Sequence, residues 1–211
     1  MAPQRSRDTV APASGRQSTD EMRVRSRGRL PHWERDEAAY FVTLRLYDSL
    51  PAAALQRIKQ TKPGGDYADR LDAYLDRGSG ASFLKDPRVA ELVVDALRHF
   101  DGARYRLHAW CVMPNHVHVV FSVLPARTPA LRLSSIIQSW KSFTAKGANR
   151  LLARTGSFWQ REYYDHPVRD EADFTRCIED TIYNPVRAAL CEQWEDWPAS
   201  GLNLEAATTA A

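Results

Sequence analysis

Cysteine is scarce in this sequence: 3 in 211 residues, at Cys111, Cys177 and Cys191. The number is odd, the spacing is wide and no Cys-x-x-Cys pair occurs, which excludes a disulfide-stapled scaffold and a cysteine zinc site. Three reduced thiols used for packing are expected. Long apolar runs are also missing. Those present, such as AAYFV at 38–42, fall far short of the roughly 18 to 20 residues that cross a bilayer, so no membrane span is expected. The opening stretch MAPQRSRDTVAPASGRQSTDEM lacks the continuous apolar segment of a secretory signal, and the expected location is the cytoplasm. Nor is there a large excess of one charge. With 29 Lys and Arg against 26 Asp and Glu, the net charge of +3 is too mild to establish a polyanionic partner. What remains, 44% hydrophobic and 26% charged with 10 Gly and 12 Pro, is the composition of one globular domain with short tails.

The distribution of charge says more than its sum. Arg5, Arg7, Arg16, Arg23, Arg25, Arg27 and Arg29 are set among Ser, Pro, Ala and Gly, a segment that buries too little apolar surface to offset the entropy of ordering it. Residues 1–29 are therefore expected to form a flexible basic arm. It is either a nonspecific tether for phosphates or a solvated tail. The stretch 199–211 is small and featureless and is expected to be a disordered C-terminal tail. Between them, 30–198 reads as the folded domain.

Within that domain, 38–46 (AAYFVTLRL) is aromatic and β-branched with partial alternation, and predicts a strand. Helices are expected over 51–59, over 66–77 and, with Val89, Leu92, Val93, Leu97 and Phe100 at helical spacing, over 87–100. The runs 105–112 and 116–123 predict a hairpin closed by Met113-Pro114-Asn115. A helix is expected from Ser134, with Ile136, Trp140 and Phe143 on one face and Lys141 and Lys146 projecting elsewhere, then a short strand around 158–164. Asp170 predicts an N-cap, with Asp173 at the third helical position, for a helix burying Phe174, Cys177, Ile178 and Ile182 and ending near Tyr183 before Pro185. This order fits an α+β sandwich better than a βαβ repeat.

His116 and His118 are two apart on a predicted strand, so both imidazoles leave one face. They make half a metal site, or else are two surface or hydrogen-bonded histidines. On the helix that follows Asp170, Arg176, Asp180 and Tyr183 lie away from the apolar face, with Asn184 beside Asp180. Asn184 before Pro185 also reads as an N-cap, and Asp180 as a solvated position. Between these elements cations alternate with rings (Trp140, Lys141, Lys146, Arg150, Arg154, Trp159, Arg161, Tyr163, Tyr164), a mixture that suits single-stranded nucleic acid. Lys141, Lys146, Arg150 and Arg161 are the candidates for phosphate contacts.

Seven blocks, LPHWE at 30–34, YFVT at 40–43, SLP at 49–51, WCVMPNHVH at 110–118, SWKSFT at 139–144, FWQR at 158–161 and NPVRA at 184–188, resemble the REP-associated tyrosine transposases. These are a branch of the single-tyrosine HUH transposases, and the blocks run in the family's order from about 30 to 198. The resemblance implies a ferredoxin-like antiparallel sheet flanked by helices that binds single-stranded or hairpin repeat DNA. It implies a divalent ion, Mg²⁺ or Mn²⁺, with His116 and His118 as ligands and Asn184 at the helix-borne third ligand. It also implies strand cleavage by tyrosine, leaving a 5′-phosphotyrosine link and a free 3′-hydroxyl.

The family's nucleophilic tyrosine stands four residues before that asparagine, and here the position is Asp180. Three outcomes follow. Tyr183 is a relocated nucleophile, with Tyr163 and Tyr164 as more remote substitutes; or Asp180 joins the metal shell and water is activated instead; or the chain is a DNA-binding protein descended from a transposase, without strand transfer. A metal-dependent hydrolase of another substrate is a further reading. Related enzymes pair through sheet edges, but no heptad or long apolar patch announces a homodimer.

Overall fold

The computed structural model describes residues 23–26, 31–34, 38–59, 65–78, 80–125 and 132–203. Strand β1 (Arg23–Ser26) pairs antiparallel with β2 (Pro31–Glu34) in a separate two-stranded sheet. This corrects the expectation of an unstructured arm at Arg23 and Arg25; residues 1–22 and 27–30 lie outside the described residues.

The main sheet is antiparallel throughout, with strand order β6-β3-β5-β4-β7. Strand β3 (Ala39–Arg45) lies between β5 and β6 and is covered on both faces. Tyr40, Val42 and Leu44 enter one core, while Phe41 enters the other. A strand buried on both faces reads as a nearly continuous apolar run, which is why its alternation is only partial. The first helices are α1 (Ala52–Lys59) and α2 (Gly65–Leu75). In α3 (Pro87–Arg98), Asp86 caps the start by accepting from the Arg88 amide, and Val89, Val93 and Leu97 are buried.

Strands β4 (Tyr105–Val112) and β5 (His116–Val123) form the predicted hairpin, with an irregularity between Leu107 and Ala109. Helix α4 (Leu133–Leu151) buries Ile136, Ile137 and Trp140 in the same core as α3. The Trp140 indole donates to the Tyr105 hydroxyl at 3.0 Å, and that hydroxyl donates to the Leu97 carbonyl at 2.7 Å. The Trp140 indole and the Tyr105 hydroxyl are thereby both satisfied within the core.

Four expectations are corrected. Phe143, expected on the buried face of α4, is 59% exposed, because it lies at the edge of the arc that packs on the sheet. The strand expected around 158–164 is displaced: β6 is Tyr164–Pro167, and Trp159 makes only an isolated bridge with Leu46. Helix α5 (Glu171–Ile182) is followed at once by α6 (Asn184–Arg187), whose cap position is Tyr183, so Asn184 does not cap it. The stretch expected to be a tail from 199 supplies β7 (Ser200–Leu202), an edge strand on β4, and the fold extends to residue 203. Gly201 permits that pairing, since a Cβ there would run into the Trp110 ring.

Candidate metal centre

His116 opens β5 opposite Arg45, and His118 lies opposite Thr43. Their alternation with Val117 and Val119 sends both rings to the sheet face covered by α5, where Phe41 stacks on His118 with centroids 5.3 Å apart. Both rings are fully buried, at 0% and 1% exposure, which removes the reading of two surface histidines.

The surrounding hydrogen bonds decide which ring nitrogens carry protons. Asn115 donates from Nδ2 to the Leu75 carbonyl at 2.9 Å, so its Oδ1 faces His116 Nδ1 at 2.6 Å. An amide oxygen only accepts; His116 therefore carries its proton on Nδ1 and presents a lone pair at Nε2. His118 Nδ1 pairs with the Thr43 hydroxyl at 3.0 Å, which leaves its Nε2 facing the same way. Burial pushes His116 down to about 3, partly opposed by the neighbouring Asn184 amide. Burial, then the His116 ring and Arg187, push His118 well below the ordinary histidine value. Both rings are neutral at physiological pH, the form that ligates a metal.

Three further oxygens face these nitrogens. Asp76 Oδ1 is 3.9 Å from His116 Nε2, and Asp72 Oδ1 is 3.8 Å from His118 Nε2. Asn184 Oδ1 is buried beside His116. Among the described residues, His116 Nε2, His118 Nε2, Asp76 Oδ1 and Asn184 Oδ1 are buried without a hydrogen-bond partner. Burial pushes the Asp76 carboxyl up to about 6, with Arg187 pulling it the other way. Lone pairs facing lone pairs in a largely buried site are unfavourable unless a cation sits among them. The donor set fits a divalent ion, with nitrogen and oxygen ligands and no sulfur.

Asp72 and Asp76 were missed by the sequence reading. Their spacing of four residues on a helix was visible, but nothing local placed that helix beside the histidines. The contact that does so, Asn115 to Leu75, spans 40 residues.

Asp180 is outside this buried set. Its carboxylate is half exposed and pairs with Arg187 at 3.3 Å. Tyr183 is 44% exposed immediately before buried Asn184. The Lys141 ammonium donates to the carbonyls of Gln160 at 2.6 Å and Arg161 at 2.8 Å, which ties it to the fold. Lys146, Arg150 and Arg161 are exposed. Lys146 and Arg150 lie on α4, across the sheet from the histidines, with exposed Phe143 on the same helix face.

His166, Asp173 and Cys177 form a second cluster with ligand atoms close together. Its carboxylate is already engaged: Asp173 accepts from His166, Arg169 and Arg176 at 2.8, 3.1 and 2.5 Å. Two guanidinium groups neutralise it, and burial pushes the Cys177 thiol up to about 12, so this cluster is an ion-pair network.

Residues 86–177 match the family described as transposase IS200-like. Over 103 residues, 46% of this chain and 58% of the relative, the chain is 28% identical to a Haemophilus influenzae protein described as a REP-associated tyrosine transposase. It is 22% identical over 103 residues, 49% of this chain and 58% of the relative, to the REP-associated tyrosine transposase of Escherichia coli K12. Over this segment the chain is similar to REP-associated tyrosine transposases. A solved structure of a REP-associated tyrosine transposase bound to a REP hairpin shares the fold, with a TM-score of 0.51 and 16% identity over 80% of this chain and 79% of that one. The matching segment spans only 58% of the curated relatives' length. The matched region stops at residue 177, before Asp180, Tyr183 and Asn184. No helix among its described residues is long and apolar enough to cross a membrane.

Proposed function

We propose that the protein binds single-stranded or hairpin repeat DNA and cuts it with the help of a divalent ion held by His116, His118 and Asn184, using Tyr183 as the attacking group. The observation that carries this reading is the burial of His116 Nε2, His118 Nε2 and Asn184 Oδ1 without partners. A fold that had shed its chemistry would gain stability by replacing such atoms with apolar ones. The ion supplies charge to polarise the scissile phosphate. Asn115 and Thr43 hold the two rings in the orientation that ligation needs. Tyr183 Oη attacks phosphorus as its proton departs, the bond from phosphorus to the 3′-oxygen breaks, and that oxygen takes up a proton. Asp180 is the poorer nucleophile: its product is a high-energy acyl phosphate, and its carboxylate is paired with Arg187.

The test is a labelled hairpin oligonucleotide incubated with protein and Mn²⁺ or Mg²⁺ and resolved on a denaturing gel. A protein-linked strand is expected, lost in Tyr183→Phe. Nicking without that adduct would instead assign the attack to water, and tight binding without either would leave a DNA-binding protein. The last is the second reading, and the Asp180–Arg187 pair at the family's tyrosine position favours it.

The basic residues divide into two groups with opposite expected outcomes. Lys146→Ala, Arg150→Ala and Arg161→Ala are each expected to reduce the slope of log affinity against log salt by nearly one, the release of one counterion. Lys141→Ala is expected to leave that slope unchanged and to lower the melting temperature, since burial and two carbonyl bonds make it structural. Fluorescence anisotropy at several salt concentrations, with thermal melts, checks both.

A further inference from the structure

We propose that Asp72 of α2 and Asp76, immediately after it, are two further ligands of the divalent ion, so that the centre is an acidic, oxygen-rich one built from two layers of the fold. The inference rests on the reading of the histidine pair as a cation site. Asp72 and Asp76 are one helical turn apart at the C-terminal end of α2 and so project from one face. Each faces one histidine, at 3.8 and 3.9 Å from Nε2. Those distances are too long for hydrogen bonds. They are short enough for a shared ion, because two donors at about 2.0–2.2 Å from one metal stand at most roughly 4.3 Å apart.

The helix is held in this place for a reason visible in the turn before the histidines. Leu71 and Leu75 pack against Leu50 on one side of α2, and Asn115 links the Leu75 carbonyl to His116 Nδ1. A single side chain therefore sets both the tautomer of a histidine and the position of the carboxylates opposite. The negative end of the α2 dipole faces the same point. Two imidazoles and an amide would bring no charge to a divalent ion, whereas two carboxylates neutralise it. Three oxygens and two nitrogens favour Mn²⁺ or Mg²⁺ over metals that seek sulfur.

Mn²⁺ binding to the metal-free full chain, followed by the loss of the free-ion electron paramagnetic resonance signal, tests this without DNA. Saturable binding is expected for the wild type, weakened at least tenfold in Asp72→Asn and in Asp76→Asn and lost in His118→Ala. Both asparagine variants are expected to fold, and Asp76→Asn is expected, without metal, to melt no lower than the wild type, since it removes charge from a crowded site. Their metal-induced rise in melting temperature is expected to shrink. Infrared difference spectra of the wild type, with and without Mn²⁺, are expected to show shifted carboxylate stretches, a readout independent of whether a variant folds. Asn variants that bind within twofold of the wild type, with unshifted carboxylate bands, would overturn the role of α2 and leave the histidine site standing. A wild-type protein with no saturable Mn²⁺ binding would overturn both.

Discussion

His118→Ala is expected to lower metal-dependent cleavage of hairpin DNA by well over a hundredfold while leaving the fold intact. Removing even an outer partner of a metal ligand costs about 10- to 100-fold, and His118 is in the inner set. The ring is fully buried and stacks on Phe41, so truncation leaves a cavity costing about 2 kcal/mol or more. Part of that cost is offset because the variant no longer buries an unpartnered Nε2. Thr43→Val separates positioning from ligation: it keeps both rings and removes only the hydroxyl 3.0 Å from His118 Nδ1. An intermediate loss of Mn²⁺ affinity, on the order of tenfold, is expected there. Single-turnover cleavage beside Mn²⁺ titration of the three proteins checks the order; equal cleavage by His118→Ala and the wild type would remove the histidine pair from the chemistry.

Asp173→Ala is expected to destabilise the protein by about 3 kcal/mol, the scale for breaking a buried charge cluster from one side. Its carboxylate is 3% exposed and accepts from His166, Arg169 and Arg176, which tie α5 to β6 and the turn between them. The exposed arginines are partly screened by water, which keeps the figure at the low end of that range. Burial alone would push the Asp173 carboxyl up, but hydrogen bonds from Arg169, Arg176 and His166 outweigh it and hold the group well below the usual carboxylate range. The sign follows from linkage. Below its ordinary value the unfolded chain binds the proton first, so the stabilisation is complete above about pH 4 and fades as pH falls further. Urea unfolding at pH 7 and pH 3 is expected to show the gap between wild type and Asp173→Asn narrowing at the lower pH, and a gap constant with pH would mean the charge contributes nothing.

Much of the architecture was legible because it follows local rules. Val89, Val93 and Leu97 repeat at helical spacing, Asp170 caps α5 through the Asp173 amide, and Met113-Pro114-Asn115 interrupts two β-branched runs. Each is settled within a few residues. Sequence blocks also resembled the REP-associated tyrosine transposases, to which part of the chain is similar, and singled out His116, His118 and Asn184. Their hydrogen-bond partners needed the folded chain.

The errors share a cause. Phe143 has the periodicity of a core residue but lies at the edge of the arc covered by the sheet. Lys141 reads as a free cation until the 158–161 segment brings two carbonyls to its ammonium. The small residues 200–202 lack apolar bulk and still form a strand, because β4 offers an open edge and Gly201 fits over Trp110. Sequence by itself determined the helices, the hairpin, the histidine pair and an aspartate, Asp180, four residues before Asn184. Only the tertiary structure brought Asp72 and Asp76 to the histidines and tied Asp180 to Arg187. Periodicity and capping act over a few residues along the chain, whereas a buried site is assembled by side chains tens of residues apart, and their meeting is decided by how whole layers pack.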